Sequence, residues 1–282
     1  METALALVQK YQILAYGIGL AVLFAWESFL PFFDFFRGKG RARGVHLLRN
    51  LSLGAINSAL ITLVFVGAWV AASGWAYAHG FGLMNVLTAK AGIPTWTHAV
   101  GAILLLDAWT YVWHRINHRV PFLWRFHRVH HTDAHMDVTT AGRFHVGEII
   151  LSSALRIPLI VLFGVYAWEL LLYETMMFAV VQVHHANIAL PPALDRVLRF
   201  MIVTPAMHKV HHSRFQPETD SNYSAFLSVW DRLGKSFRLR KHPEEIRFGL
   251  DAFTDPSDET MKGLMAMPVR RVTRDSAPDH GE

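Results

Sequence analysis

From residue 149 to 183 the chain is apolar for about 35 residues, interrupted by Pro158, Gly164, Glu169 and Glu174. One membrane-crossing helix needs about 20 residues, so this run reads as a tight hairpin of two spans, 149–165 and 168–185. Three further apolar stretches lie upstream, at 11–36, 50–72 and 97–113. The first exceeds a signal-peptide core and lacks a cleavage pattern; it reads as an uncleaved span that breaks or ends at Pro31. An apolar stretch at 81–89 is too short to cross. The expected fold is all-α, a polytopic membrane helix bundle of about four to five spans.

Charge orients these spans. Residues 37–49, RGKGRARGVHLLR, hold five Arg or Lys and no acid, which places that loop on the cytoplasmic side. Residues 73–96 have Lys90 as their only charge, and residues 114–147 are again basic through Arg115, Arg119, Arg125, Arg128 and Arg143. Only 17% of residues are charged, against about 25% in soluble domains. The net charge of +5 is accounted for by these flanking loops, and no basic stripe of the nucleic-acid-binding kind is present. With no cysteine, disulfides, thiolate zinc sites and iron–sulfur clusters are excluded. Any metal must be held by nitrogen and oxygen. Beyond Pro191 the chain is mixed in polarity; 194–203 reads as an amphipathic helix in the interface. Residues 1–96 form an N-terminal membrane region with two spans, and 250–282 a loose tail without a core.

Twelve of the seventeen histidines fall between 114 and 212. The stretch HRINHRVPFLWRFHRVHH, 114–131, holds an HxxxH pair, His114 and His118, then an HxxHH triplet, His127, His130 and His131. HKVHH repeats the triplet at His208, His211 and His212. Helix positions i, i+3 and i+4 share a face, so each set is expected to aim its rings at one point. Imidazole is the commonest metal-ligating side chain and suits iron, zinc, copper and nickel. A lone HxxxH pair more often caps a helix end or sits among headgroups; three such sets on one membrane face have no comparable packing explanation. Eight ligands exceed what one ion takes, before His145, His184 and His185 are considered, so two ions are expected. Open-coordinate iron would mean oxygen chemistry on a lipid; zinc would mean hydrolysis. Asp107, Tyr111, His114 and His118 form one stripe on the third span. Asp107 is thus a candidate to accept a ligand's other N–H, the alternative being a hydrogen bond at a helix interface. His46, His79, His98, His135, His242 and His280 read as ordinary surface or interface residues.

Taken together, WHRINH (113–118), LWRFHRVHHTDAHMDVTTAGRFHVGEI (123–149), VHHANIALP (183–191), TPAMHKVHH (204–212) and ETDSNYSAFLSVWDRLGKSFR (218–238) resemble the fatty acid hydroxylase superfamily, often called sterol desaturase-like. The resemblance covers about 95–240 and makes 97–249 the catalytic region. It implies a membrane-embedded nonhaem di-iron oxygenase with a cytoplasmic helical cap over the metal site. Two iron ions, with zinc a possible substitute, would use dioxygen and electrons from an external redox partner protein to hydroxylate, desaturate or cleave a lipid. His114, His118, His127, His130, His131, His208, His211 and His212 match the box positions of the iron ligands. His145 matches a histidine of an RFHPxE-like segment, although Val146 stands where proline is common. His185 matches a QHxN-like segment, with Asn187 as its companion and His184 a second candidate. Asp107 and Asn187 are the catalytic candidates outside the boxes. At 231–238, DRLGKSFR replaces the usual DRLFGTY-like ending.

The substrate class, whether sterol, fatty acyl chain, carotenoid or ether lipid, is open, as is the oligomeric state. The competing readings are a zinc-dependent membrane hydrolase on the same histidines and a metal-binding or transport protein. Transport would place ionisable residues along several spans, where Asp107, Glu169 and Glu174 are few.

Overall fold

The computed structural model describes residues 2–92 and 94–270. It is built of helices; apart from an isolated antiparallel bridge between Ile202 and Leu227, no strand pairing is present among the described residues. Helix α1 (Glu2–Phe29) lies along α8 (Ala167–His185). Between them in sequence come α2 (Gly40–Leu60), a π-helical turn (Ile61–Phe65) and α3 (Val66–Ala78), which form one continuous rod. A short α4 (Leu83–Ala91) leads into α5 (Thr95–Arg119). Then follow α6 (Pro121–His131), a 3₁₀ turn (Val138–Gly142) and α7 (Val146–Phe163).

Two proline–glycine features position the site. Val120 is extended, at φ −92° and ψ 114°, as the residue before a proline prefers, and Pro121 takes the first position of α6. The chain therefore breaks between the HxxxH pair and the first triplet. Gly164, left-handed at φ +73°, ends α7 and opens the hairpin into α8. Gly82, at φ +101°, packs so closely on this corner that a Cβ there would lie 2.4 Å from the Gly164 nitrogen. The two helices expected at 149–165 and 168–185 are thus present as α7 and α8, of which α7 is long and apolar enough to cross a membrane.

Phe65, Trp69, Leu106, Ile160, Leu170 and Tyr173 form the main apolar core, joining the π turn, α3, α5, α7 and α8. Large apolar side chains also cover the outside, among them Leu14, Ile18, Leu63, Val64 and Leu162. Among the described residues, two segments are long and apolar enough to cross a membrane, the Gly40–Ala91 run and Val146–Phe163; Leu14–Phe29 is a shorter apolar helix. Buried polar groups interrupt the other long helices. In the hairpin, Arg156 pairs with Glu174, so two charges satisfy each other where the sequence reading noted only the acid.

The C-terminal third wraps the end of this bundle through α9 (Pro192–Leu198), α10 (Pro205–His211), α11 (Gln216–Thr219), α12 (Val229–Leu233) and α13 (Met261–Ala266). The interfacial helix expected at 194–203 stops at Leu198, because Ile202 and Val203 pair with the backbone at 226–227. Residues 250–270 are not the loose tail expected. Phe253, Leu264 and Met267 bury themselves against Leu53 and Val129, and Arg128 donates to the carbonyls of Met267 and Arg270. Residues 271–282, with His280, lie outside the described residues.

Candidate metal centre

Four elements bring their histidines to one end of the bundle. The last two turns of α5 carry His114 and His118, α6 carries His127, His130 and His131, the end of α8 carries His184 and His185, and α10 with its cap carries His208, His211 and His212. All except His114 are at most 2% exposed. Nine of them form two groups in which the ligand atoms lie within 4.8 Å of one another. His114, His118, His127, His131 and His211 make the first; His130, His185, His208 and His212 make the second.

The triplets do not each aim at one point. At about 100° per residue, positions i and i+4 lie about 40° apart, whereas i+3 and i+4 lie about 100° apart. His127 and His131 therefore go to the first group and His130 to the second. The second triplet does the reverse, with His208 and His212 in the second group and His211 in the first. The His131 and His212 rings stack at 4.5 Å between the groups.

Hydrogen bonds fix several tautomers. His114 Nδ1 lies 2.7 Å from the Tyr223 carbonyl oxygen, which can only accept, so Nδ1 carries the proton and Nε2 a lone pair. His127 Nδ1 likewise faces the Glu148 carboxylate at 2.8 Å. Yet the two Nε2 atoms face each other at 3.1 Å. Two lone pairs at that distance repel unless a cation lies between them. The Ser221 carbonyl takes the Nδ1 proton of His211 at 2.7 Å, and its Nε2 has no hydrogen-bond partner; His131 has none at either nitrogen. In the second group His185 Nδ1 donates to the Val181 carbonyl at 2.8 Å, and its Nε2 lies 3.1 Å from His130 and 3.0 Å from His208. These spacings approach the about 3.4 Å between ligands of a tetrahedral ion with metal–nitrogen bonds of about 2.1 Å.

Burial, then the neighbouring imidazoles, holds His130, His131, His208 and His212 well below the usual histidine range; burial brings His211 to about 3. The rings are therefore neutral near pH 7, as metal ligands must be. Five and four neutral imidazoles without thiolates fit one ion of the iron, zinc, copper or nickel class in each group.

A second layer holds the ligands, and the sequence reading missed most of it. Asp231 accepts from the backbone N–H groups of Tyr223 (2.7 Å) and Ser224 (3.0 Å) and from Ser236 Oγ (2.8 Å). It thereby shapes the loop whose carbonyls hold His114 and His211. Asn222 in that loop is left-handed at φ 49°, a conformation asparagine tolerates, and its amide donates to the Met207 and Arg238 carbonyls. Only Glu148 gave a signal, as an acid at the head of an apolar run. Trp124 packs against His118 at 5.0 Å and His131 at 5.4 Å. Phe126 is half-buried against His145.

The remaining candidates lie elsewhere. His145 caps the start of α7 by accepting from Gly147 N–H, with Nε2 3.2 Å from the Met265 carbonyl, and joins neither group. His184 is outside both groups too, although its ring lies 3.9 Å from that of His208. Asp107 accepts from Trp230 Nε1 (2.7 Å), Leu227 N–H (3.0 Å) and Tyr173 Oη (3.2 Å). It ties α5 to α8 and α12 rather than holding a histidine. Asn187 bonds both backbone groups of Phe33, at 2.9 and 2.8 Å. Two histidines read as ordinary are deeply buried: His46 among Asn50, Asp133 and Asp137, and His98 2.8 Å from Glu169.

The fatty acid hydroxylase profile matches residues 99–236, a stretch containing all nine grouped histidines. The chain is 27% identical to the ornithine lipid hydroxylase OlsE of Rhizobium tropici, over 64% of this chain and 52% of that one. It is 22% identical to cholesterol 25-hydroxylase of Rattus norvegicus, over 58% and 54%. With alkylglycerol monooxygenase of Homo sapiens it shares 31% identity over 53% of this chain and 32% of the relative. The match thus spans about half or less of these relatives' own length. No solved structure matches the chain.

Proposed function

Because residues 99–236 match the fatty acid hydroxylase profile, we propose that the protein is a membrane-bound, two-metal lipid oxygenase. The observation that carries the metal reading is the pair of Nε2 lone pairs of His114 and His127, 3.1 Å apart with both Nδ1 protons already placed. His114, His118, His127, His131 and His211 would hold one ion, and His130, His185, His208 and His212 the other. The ions are proposed to be iron, which supplies dioxygen activation and attack on an unactivated C–H bond when bound. The electrons are proposed to come from a separate donor protein.

The chain's own residues do three things in this reading. Tyr223, Ser221 and Val181 carbonyls and the Glu148 carboxylate keep Nδ1 protonated, so each Nε2 points inward. Asp107 and Asn187 act as positioning residues, holding α12 and residues 32–33 against the bundle. Trp124, Phe144 and Tyr223 line the histidines with rings and exclude water from the centre.

The membrane arrangement belongs to the same proposal. Helices α1, the α2–α3 rod, α5, α7 and α8 would make up to five crossings. The basic stretches 37–49 and 114–147 would then face the cytoplasm with the histidines. A lipid chain would enter sideways from the bilayer. The relatives are named for hydroxylation or monooxygenation of lipids, which favours hydroxylation here. Comparing lipid extracts of cells with and without the gene by mass spectrometry tests this reading. A lipid gaining about 16 mass units under oxygen supports it; an oxygen-independent hydrolysis product contradicts it.

A further inference from the structure

A cavity of about 750 Å³ opens beside the histidines, outside both groups. One wall is the first turns of α2, with Arg41, Val45, His46 and Arg49. The opposite wall is 248–259, and Thr132, Ala134 and His135, which directly follow the first triplet, contribute a third side. Its volume is within the range of about 300–1,000 Å³ for small-molecule sites.

His46, Asp133 and His135 here are close enough to hold a cation, yet their surroundings oppose one. Asp133 Oδ2 already accepts from Asn50 (3.1 Å) and Thr140 (2.7 Å), and Oδ1 from the His135 N–H (3.0 Å). Arg49 Nη2 lies 3.3 Å from His46 Nδ1, and His46 Nε2 is 3.3 Å from Asp137 Oδ2. A metal would displace these bonds and sit against a guanidinium.

The wall charge favours the opposite sign. Arg41, Arg49 and Arg214 outnumber their two acids: Glu259, which Arg49 binds at 2.6 Å, and Asp251, which pairs with Arg214 at the exposed rim, where such a pair is worth little. Arg41 is exposed and forms no ion pair among the described residues. Between these cations the lining is apolar, with Phe36, Val45 and Phe248 among it. Cations at the start of α2 and at Arg214, beside apolar walls, match an anionic headgroup with its first acyl carbons. We propose that this cavity binds an anionic phospholipid of the surrounding membrane, its phosphate on Arg41 and Arg214 and its glycerol and upper chain against Phe36 and Phe248. The proposal rests on the reading that residues 37–49, which include the start of α2, lie at the membrane surface.

The test uses the full chain, purified with its metals in neutral detergent and titrated calorimetrically with dihexanoyl phosphatidic acid. Saturable one-to-one binding is expected, with dihexanoyl phosphatidylcholine failing to compete. Arg41→Gln combined with Arg214→Gln should weaken binding at least about tenfold. Val45→Glu, at an exposed wall position, should abolish it with the thermal midpoint unchanged. Inorganic phosphate should compete only at far higher concentration; equal potency would mean a free-anion site and overturn the lipid assignment. Absence of saturable binding, or wild-type affinity in the double variant, would also overturn it. Binding requires neither oxygen nor turnover, so these failures leave the two-metal reading standing, whereas loss of metal content would not affect this result.

Discussion

Glu148 offers a sharp perturbation of the proposed centre because it does one thing there. Its Oε1 holds His127 Nδ1 at 2.8 Å, its Oε2 has no hydrogen-bond partner, and it is only 5% exposed. Replacement by alanine removes one charge-assisted hydrogen bond, about 1.5–3 kcal/mol, and frees the His127 ring to adopt the other tautomer. Taking about 2 kcal/mol as the loss, the first group should hold its ion about 30-fold more weakly, within the roughly 10–100-fold typical of residues behind a metal ligand. Glu148→Gln keeps an acceptor without the charge, so its effect should be about 1 kcal/mol, or roughly fivefold. The assay is metal content after dialysis against graded chelator, with thermal unfolding followed in parallel. One of the two equivalents should leave at lower chelator in the order alanine, glutamine, wild type. The other equivalent should leave at the wild-type concentration. If Glu148→Ala keeps both ions with wild-type resistance, the tautomer argument is wrong.

Exchanging single ligands should separate the two groups. His131→Ala should lose one equivalent of metal and His208→Ala the other, each leaving a single ion per chain by elemental analysis; parallel loss of both from either variant would contradict the division. His145→Ala should retain both equivalents. Its effect should be confined to the lost cap of α7, about 0.5–2 kcal/mol, seen as a lowered thermal midpoint.

Much of this was readable in the residues. The hairpin followed from an apolar run too long for one helix, and the break at Pro121 from proline stereochemistry. The histidine boxes were legible because imidazoles at helical spacing have no packing rationale. Their allocation was not, since i, i+3 and i+4 lie close enough together to be read as one target, while the neighbouring helices decide which ring turns which way. The supporting carbonyls of Tyr223, Ser221 and Val181 left no trace because any residue type offers the same backbone oxygen. His145 became a candidate because its segment resembles the family's RFHPxE-like one, but the start of α7 uses its Nδ1 as a cap. Residues 250–270 read as loose because of their Asp, Pro, Ser and Thr content. They bury onto Leu53 and Val129, a surface that exists only after folding.

The central claim is two histidine-bound ions per chain. It is tested most directly by elemental analysis and metal-edge X-ray absorption on protein purified without oxygen. The account predicts two equivalents of iron, each surrounded by nitrogen at about 2.0–2.2 Å, bond lengths usual for imidazole ligands, with no sulfur scattering. A chain holding one ion, or none, in fully folded protein would contradict it.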